Sequence, residues 1–219
     1  MRKITLLQSG LFLVLLSLII SLGISINYLL LGSLPLGDFR GVTLVITGLI
    51  ICFMVALVIF RLFVNIMPLD EGEIKPQSKK EFIYHIYLLF YLLIFYPIMR
   101  AGVVPLPLMR VVYLALGAKL GENTYSSGIV LDPAFVEVGK NTLIGQYALI
   151  VPHAIENEKL SHHKVKIGDH VTIGAHAVVM AGVTIGDNAL VATGAIVTKG
   201  TVIAAGEVWA GVPAKCIRT

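Results

Sequence analysis

Three histidines and a glutamate that could do acid–base chemistry lie close together in one polar stretch of the chain: His153, Glu156, His162 and His163. An imidazole titrates near neutrality, so it can remove a proton from a hydroxyl or amine as that group attacks an activated acyl carbon. A carboxylate beside the ring can orient it and stabilise its protonated form. The same residue types are also common in solvated loops, and by themselves they leave both interpretations open.

The elements that must position these residues are set by a repeat of six residues. With one interruption, Ile or Val recurs at every sixth position: Val138, Ile144, Ile150, Ile167, Ile173, Val179, Ile185, Val191 and Val197. A period of six is neither helical nor a simple strand alternation. One block cannot bury its own apolar side chain, so we expect the blocks to stack into a solenoid of short strands. Glycine at the second position of many blocks is expected to permit the bend between strands.

The register of the repeat breaks once, within residues 155–165. The inserted sequence ENEKLSHHK is polar and charged, and an insertion into a solenoid must leave the stack as a surface loop. His153 therefore lies at the edge of a loop that is well placed to carry function. The two histidines inside the loop are expected either to contact a substrate or simply to be exposed. His170 and His176 fall at turns of the repeat, where we expect them at the surface.

The first half of the chain has the composition of a membrane region. Hydrophobic residues make up 57% of the 219 residues and charged residues 14%, and the mean hydropathy is +0.88. Residues 4–37 and 41–60 contain no Asp, Glu, Lys, Arg or His. Each run can cross a hydrocarbon core, which needs roughly 20 apolar residues, and the first is longer than the apolar region of a signal peptide, about 7–15 residues. We therefore predict retained helices over 4–31 and 41–67.

A third apolar segment, residues 82–99, decides the topology. Only about 15 apolar residues precede Pro97, which interrupts the segment, and this is short for a crossing. Basic residues follow the segment, as they precede the first helix, and the positive-inside tendency places both groups in the cytoplasm. We predict two crossings, a re-entrant or interfacial third segment, a short amphipathic helix over 108–120, and a cytoplasmic C-terminal domain.

The charge and the cysteine content limit which classes of partner and ligand the sequence indicates. The net charge of +4 comes largely from residues that flank apolar runs, so it does not indicate a nucleic-acid partner. Cys52 and Cys216 are isolated and provide neither a disulfide framework nor a metal-ligand spacing.

Residues 120–217 resemble the hexapeptide-repeat acyltransferases. The resemblance rests on IGDHVTIGAHAVVMAGVTIGDNALVATGAIVTK, on the His-bearing loop before it and on the terminal WAGVPAKCIR. It implies a left-handed parallel β-helix of triangular cross-section, with three hexads per coil. The predicted fold is therefore an N-terminal α-helical membrane region, residues 1–118, joined to an all-β left-handed parallel β-helix, residues 119–219.

The resemblance also implies roles for particular residues. His153, in VPHA before the loop, matches the catalytic histidine and would act as general base, with Glu156 orienting the ring. Members of the family bind coenzyme A in a groove between adjacent subunits of a homotrimer. The matching donor-binding residues here are Gly174, Ala175, Thr193, Thr198 and Lys199, with Lys215 or Arg218 available for the nucleotide phosphate. A backbone amide near Ala175 would stabilise the thioester oxyanion.

The predicted activity is transfer of an acyl group, acetyl from acetyl-CoA, to a hydroxyl or amine. Because solenoid acyltransferases work in solution, the membrane half indicates a membrane-associated acceptor, such as a lipid-linked sugar. We expect a homotrimer in a bacterial-type inner membrane, with no metal and no nucleic acid.

Three alternatives compete with this interpretation. The γ-type carbonic anhydrases share the repeat, but zinc catalysis needs about three His ligands, and the positions that match two of them hold Ala175 and Met180. A non-catalytic membrane-anchored scaffold would need the solenoid but not His153. A transporter has little support, because the apolar segments contain few ionisable groups.

Overall fold

The computed structural model describes residues 3–219, and the chain divides into two compact units. One unit consists of residues up to 69 together with 79–97, and the other of 70–78 together with 98–219. The helices are α1 (Leu6–Leu31), α2 (Arg40–Ile66), α3 (Lys79–Phe90), α4 (Tyr96–Ala101) and α5 (Leu106–Leu116).

In the first unit α1 and α2 lie where the sequence predicts them. A capping box starts α1: the Gln8 N–H donates to the Thr5 hydroxyl, and the Thr5 N–H donates to the Gln8 side-chain oxygen. Between the helices Asn27 donates to the Leu44 carbonyl and accepts from the Thr47 hydroxyl, each at 2.8 Å. Both helices are long and apolar enough to cross a membrane, by length and composition.

The third apolar segment is a single helical stretch of 23 residues, Lys79–Ala101. The predicted interruption at Pro97 is wrong. A π-helical turn, Tyr91–Phe95, joins α3 to α4, and the Tyr96 N–H bonds to the Tyr91 carbonyl. This wider turn accommodates the proline, whose ring would clash with a regular preceding turn.

The second unit is built from short strands. They are β1 (Gly72–Ile74), β2 (Lys119–Leu120), β3 (Tyr125–Ser126), β4 (Ile129–Val130), β5 (Val136–Val138), β6 (Leu143–Ile144), β7 (Leu149–Ile150), β8 (His153–Glu156), β9 (Lys159–His162), β10 (Val165–Ile167), β11 (Thr172–Ile173), β12 (Val178–Val179), β13 (Thr184–Ile185), β14 (Leu190–Val191), β15 (Ile196–Val197), β16 (Val202–Ile203), β17 (Val208–Ala210) and β18 (Lys215–Arg218).

Apart from β1, β8 and β9, these strands form three mainly parallel sheets that the chain visits in rotation. The sheet orders are β16-β13-β10-β5-β2, β17-β14-β11-β6-β3 with β18 added at its end, and β15-β12-β7-β4. This topology is a triangular parallel β-helix with one strand of each sheet per coil. The repeated Ile and Val side chains face inward; Ile144, Ile150 and Ile173 are fully buried. Burying each such side chain contributes about 1.5–3 kcal/mol. The three rotating sheets and the buried ladder confirm the predicted solenoid.

The glycines at the second hexad position serve close packing of the coils rather than the bend. A Cβ added at Gly186 would lie 2.6 Å from the backbone nitrogen of Ala205 in the next coil. The left-handed backbone falls two residues later in each block, at Asn141, Tyr147, His170, His176 and Asn188. His170 and His176 are exposed at these turns, as predicted.

The ends of the β-helix are closed by different elements. At the first coil the inner side of α5 is buried, and the Tyr113 hydroxyl donates to the Gly128 carbonyl and accepts from the Val130 N–H. Burial raises the pKa of Tyr113 to about 12, so the hydroxyl keeps its proton. At the last coil β18 turns back and pairs antiparallel with β17. Because α5 packs on the first coil, the second unit begins before the predicted boundary between residues 118 and 119.

Candidate active site

His153 lies at the edge of the β-helix where the chain leaves β7 and enters the excursion loop. Its Nδ1 is 2.5 Å from Oδ2 of Asp132, and the side chains are 31% and 6% exposed. Since a carboxylate accepts hydrogen bonds, Nδ1 carries the hydrogen, and Nε2 is then the basic nitrogen of the neutral ring. The pair has the arrangement of a general base and its positioning carboxylate.

Asp132 comes from the preceding coil of the same edge. β4 pairs with β7, which places the residues after β4 beside those after β7. Asp132 has a left-handed backbone, φ 42°, and caps a short 3-10 turn, Pro133–Phe135. Asp tolerates this conformation better than most residues, and the turn directs the chain into β5.

The electrostatics of the pair favour a charged imidazole. The hydrogen bond to Asp132 raises the pKa of His153, burial opposes this effect, and the charge of Asp132 adds to it. Asp132 therefore stabilises the protonated ring that forms when His153 takes a proton.

His162 is a second imidazole at the site, and it is buried rather than exposed as one of the sequence-based interpretations held. It pairs with His153 in the β8–β9 register, and its ring stacks on Phe135 at 4.7 Å between centroids. Burial lowers the pKa of His162, with the charge of Asp132 opposing and the neighbouring histidines adding to this effect. In β9, alternate residues face inward, which puts Leu160 and His162 in the interior. His163 is only half-buried.

The structure does not place Glu156 beside His153, where the predicted orienting role would need it. The Glu156 carboxylate lies 2.7 Å from Lys199 Nζ, and Asp132 is the carboxylate on His153. The reason is geometric: β8 is a strand, and residues three apart in a strand point to opposite faces. The ion pair instead links the excursion to a later coil of the β-helix.

The excursion is a β-hairpin with a third strand that the sequence did not suggest. β8 and β9 pair antiparallel around a turn at Asn157 and Glu158, and β1 pairs antiparallel with β9. Ile74 of β1 is buried, and the Lys164 N–H donates to a Glu71 carboxylate oxygen at 3.0 Å. The connection between α2 and α3 is thus part of the wall of the candidate site.

The residues predicted to bind the donor lie along two different edges of the β-helix. The His153 edge follows β4, β7, β12 and β15 and contains Thr198 and Lys199. The Gly174 edge precedes β4, β7, β12 and β15 and contains Ala175 and Thr193. The Gly194 N–H donates to the Ala175 carbonyl, so the residues of the Gly174 edge stack on neighbouring coils. Lys215 and Arg218 lie on exposed β18.

Residues 164–199 match the family model described as the hexapeptide repeat of succinyl-transferase. No curated protein sequence matches the chain.

Solved structures to which the chain is similar include a hexapeptide-repeat acetyltransferase from Vibrio cholerae, at 24% identity and TM-score 0.44 over 47% of this chain and 62% of that one. A galactoside acetyltransferase in complex with coenzyme A has 33% identity and TM-score 0.40, over 45% of this chain and 53% of that one. A maltose O-acetyltransferase from Clostridium difficile has 22% identity and TM-score 0.45, over 78% of this chain and 87% of that one. The chain thus spans 62% and 53% of the length of the first two.

The strand topology is that of a triangular parallel β-helix, and residues 164–199 within it match the hexapeptide-repeat model. An apolar helical region of span-length helices precedes the repeat.

Proposed function

We propose that this protein is an acyl-CoA-dependent acyltransferase, with acetyl-CoA as the donor and His153 as the general base. The observation that carries the proposal is the Asp132–His153 pair at the edge of the excursion hairpin. Acyl transfer from a thioester needs a base for the acceptor rather than an activated enzyme nucleophile, because the donor already has a good leaving group. A positioned neutral imidazole supplies that base.

His153 would act on the acceptor directly. Nε2 removes the proton of the acceptor's hydroxyl or amine while the oxygen or nitrogen of that group bonds to the thioester carbonyl carbon. The carbon–sulfur bond then breaks, and the imidazolium returns the proton to the leaving thiolate. Asp132 is a positioning residue, because it holds the ring through Nδ1 and stabilises its charged form.

The two edges favour a donor groove between copies of the chain. Thr198 and Lys199 lie on the His153 edge, whereas Ala175 and Thr193 lie on the Gly174 edge, across the sheet β15-β12-β7-β4. A donor that contacts both sets is best accommodated where the His153 edge of one copy faces the Gly174 edge of another. This arrangement supports the predicted homotrimer, in which an amide near Ala175 would stabilise the oxyanion.

We further propose that the acceptor is membrane-associated, such as a lipid-linked sugar. α1 and α2 have the length and composition of crossings, with mean hydropathies of 2.4 and 3.0 over their apolar windows. Residues 70–78 and 98–219 belong to one compact unit, so the helical stretch between them begins and ends at the same unit. This supports two crossings and a third segment that does not cross, with the N-terminus and the β-helix on the cytoplasmic side of a bacterial-type inner membrane.

The deciding experiment measures release of coenzyme A from acetyl-CoA by the full chain in lipid nanodiscs, with lipid extracts or soluble sugars as acceptors. We expect His153→Ala to lower acceptor-dependent release by about 10²–10⁴-fold, the usual contribution of a general base. His170→Asn is the matched control, because His170 is exposed at a left-handed turn that Asn tolerates.

Two outcomes would contradict the proposal. Wild-type protein that consumes neither acetyl-CoA nor succinyl-CoA with any acceptor would favour the non-catalytic scaffold. Transfer to soluble sugars alone, without binding of a lipid-linked acceptor, would contradict the proposed membrane-associated acceptor. It would not contradict the proposed acyl transfer.

A further inference from the structure

α5 is apolar on both sides, although only one side is covered. Its inner side packs on the first coil through buried Met109, Val112, Tyr113 and Leu116. Its outer side is exposed: Leu108 and Val111 are each 58% exposed, Leu114 is 39% exposed, and Val103 in the preceding loop is 74% exposed. These four residues are called the α5 outer face below. Contiguous exposed apolar side chains of this kind mark surfaces that bind a partner or a membrane.

The charged residues that flank the α5 outer face along the chain have one sign. Residues 82–121 contain no Asp or Glu, and Arg100 and Arg110 flank the face along the chain. Arg100 is exposed, while Arg110 reaches the Leu120 carbonyl at 3.4 Å and remains half-exposed. An apolar face whose charged neighbours along the chain are basic fits the boundary between acyl chains and anionic headgroups.

The chain also limits how far α5 can lie from the apolar helical stretch before it. Four residues, 102–105, separate Ala101 from Leu106. At no more than about 3.6 Å per residue, they allow a separation of roughly 18 Å or less. The preceding 23-residue stretch has a mean hydropathy of 1.9. If that stretch lies in the bilayer or at its surface, α5 is held within reach of the headgroups.

We propose that the α5 outer face docks in the interface of an anionic lipid bilayer and thereby holds the first coil of the β-helix against the membrane. The inference uses the membrane association of the proposed function but not its transferase chemistry. A second copy of the chain is a poor occupant, because four side chains fall short of the about 800 Å² per partner of a stable interface. In a face-to-face dimer, two such faces would also bring arginines of both copies together, and the contacts of the proposed homotrimer run along other edges of the β-helix.

The test uses the full chain with Cys52→Ala and Cys216→Ser, reconstituted in phosphatidylcholine vesicles with or without phosphatidylglycerol. An environment-sensitive fluorophore is attached at Leu108→Cys or Val111→Cys, and at Val202→Cys as the matched control. Val202 is 70% exposed on the β-helix, far along the chain from α5. Lipids with a quencher near the headgroup then report contact with the bilayer.

We expect quenching at both α5 positions to exceed that at Val202 several-fold, and to increase when phosphatidylglycerol is present. Quenching equal to that at Val202 at both positions would overturn the proposal. Shielding that depends on protein concentration but not on quencher lipid would assign the face to a second copy instead. Equal quenching with and without phosphatidylglycerol would overturn the assignment to anionic headgroups. The measurement is repeated with His153→Ala, so loss of docking is distinguished from loss of transfer.

Discussion

Asp132 and His153 come from neighbouring coils at one edge of the β-helix, and a hydrogen bond joins their side chains. His153 could be predicted because the break in the repeat lies beside it. Asp132 was missed because the coil before His153 is irregular: twenty residues separate paired Ile129 and Leu149, whereas eighteen separate paired Val178 and Ile196. The 3-10 turn after Asp132 takes up this difference, and no hexad count anticipates it.

The pH dependence of transfer tests the role of Asp132. His153 acts as a base only when neutral, and the hydrogen bond to Asp132 raises its pKa, so activity should rise with pH through that raised value. Asp132→Asn removes the charge, so the acid limb should move to lower pH. The plateau rate should fall by less than the ~10²–10⁴-fold expected for losing the imidazole. Rate profiles over pH with saturating acetyl-CoA measure both effects.

Glu156→Gln is the control for this prediction. Its carboxylate contacts Lys199 rather than His153, so the acid limb should stay in place. An acid limb that moves with Glu156→Gln and not with Asp132→Asn would reverse the assignment of the positioning carboxylate.

At the scale of elements, regular periodicity was predictable and its local exceptions were not. The inward Ile and Val ladder and α5 follow from hydrophobic spacing, and α1 and α2 follow from the length of the uncharged apolar runs. The π-helical turn before Pro97 and the addition of β1 to β9 depend on contacts that sequence spacing does not encode. The contact of Glu156 could not be predicted from spacing either, because its partner depends on whether the loop forms a strand.

Because the coils stack closely, replacing a glycine at the second hexad position with any larger residue is expected to destabilise the β-helix. Gly186→Ala would put a Cβ 2.6 Å from Ala205 N, so the two coils must separate. We expect a loss of about 1–3 kcal/mol in unfolding free energy, the usual cost of overpacking. Thermal unfolding, followed by the strand signal in circular dichroism, measures this loss. Val202→Ala, at an exposed position, is the control. Equal midpoints for the two variants would show that the coils adjust without cost.

For the whole molecule, the decisive fact is that residues on both sides of the third helical stretch belong to one unit. Length and hydropathy alone allow this stretch to cross. We propose that it does not cross, because β1 is paired with β9 at one end of the stretch and α5 packs on the first coil at the other, which places both ends on the side of the β-helix.

Side-specific labelling tests this topology. Cysteine at Lys75, before the stretch, should react with an impermeant maleimide from the same side of sealed vesicles as the native, exposed Cys216. Leu34→Cys, between α1 and α2, should react only from the other side. Reaction of Lys75→Cys and Cys216 from opposite sides would mean that the third stretch crosses.

The two closures of the β-helix have a consequence for self-association. A ladder of parallel strands presents unpaired backbone groups at each end, and an identical ladder can add there without limit. The antiparallel β18 occupies the last edge of the sheet that contains β17, and α5 covers the first coil, so neither end offers a complete set of free strand edges to another copy. Removing residues 211–219 should free the last edge only, and sedimentation should then show pairs of molecules joined tail to tail. Open filaments should require loss of α5 as well.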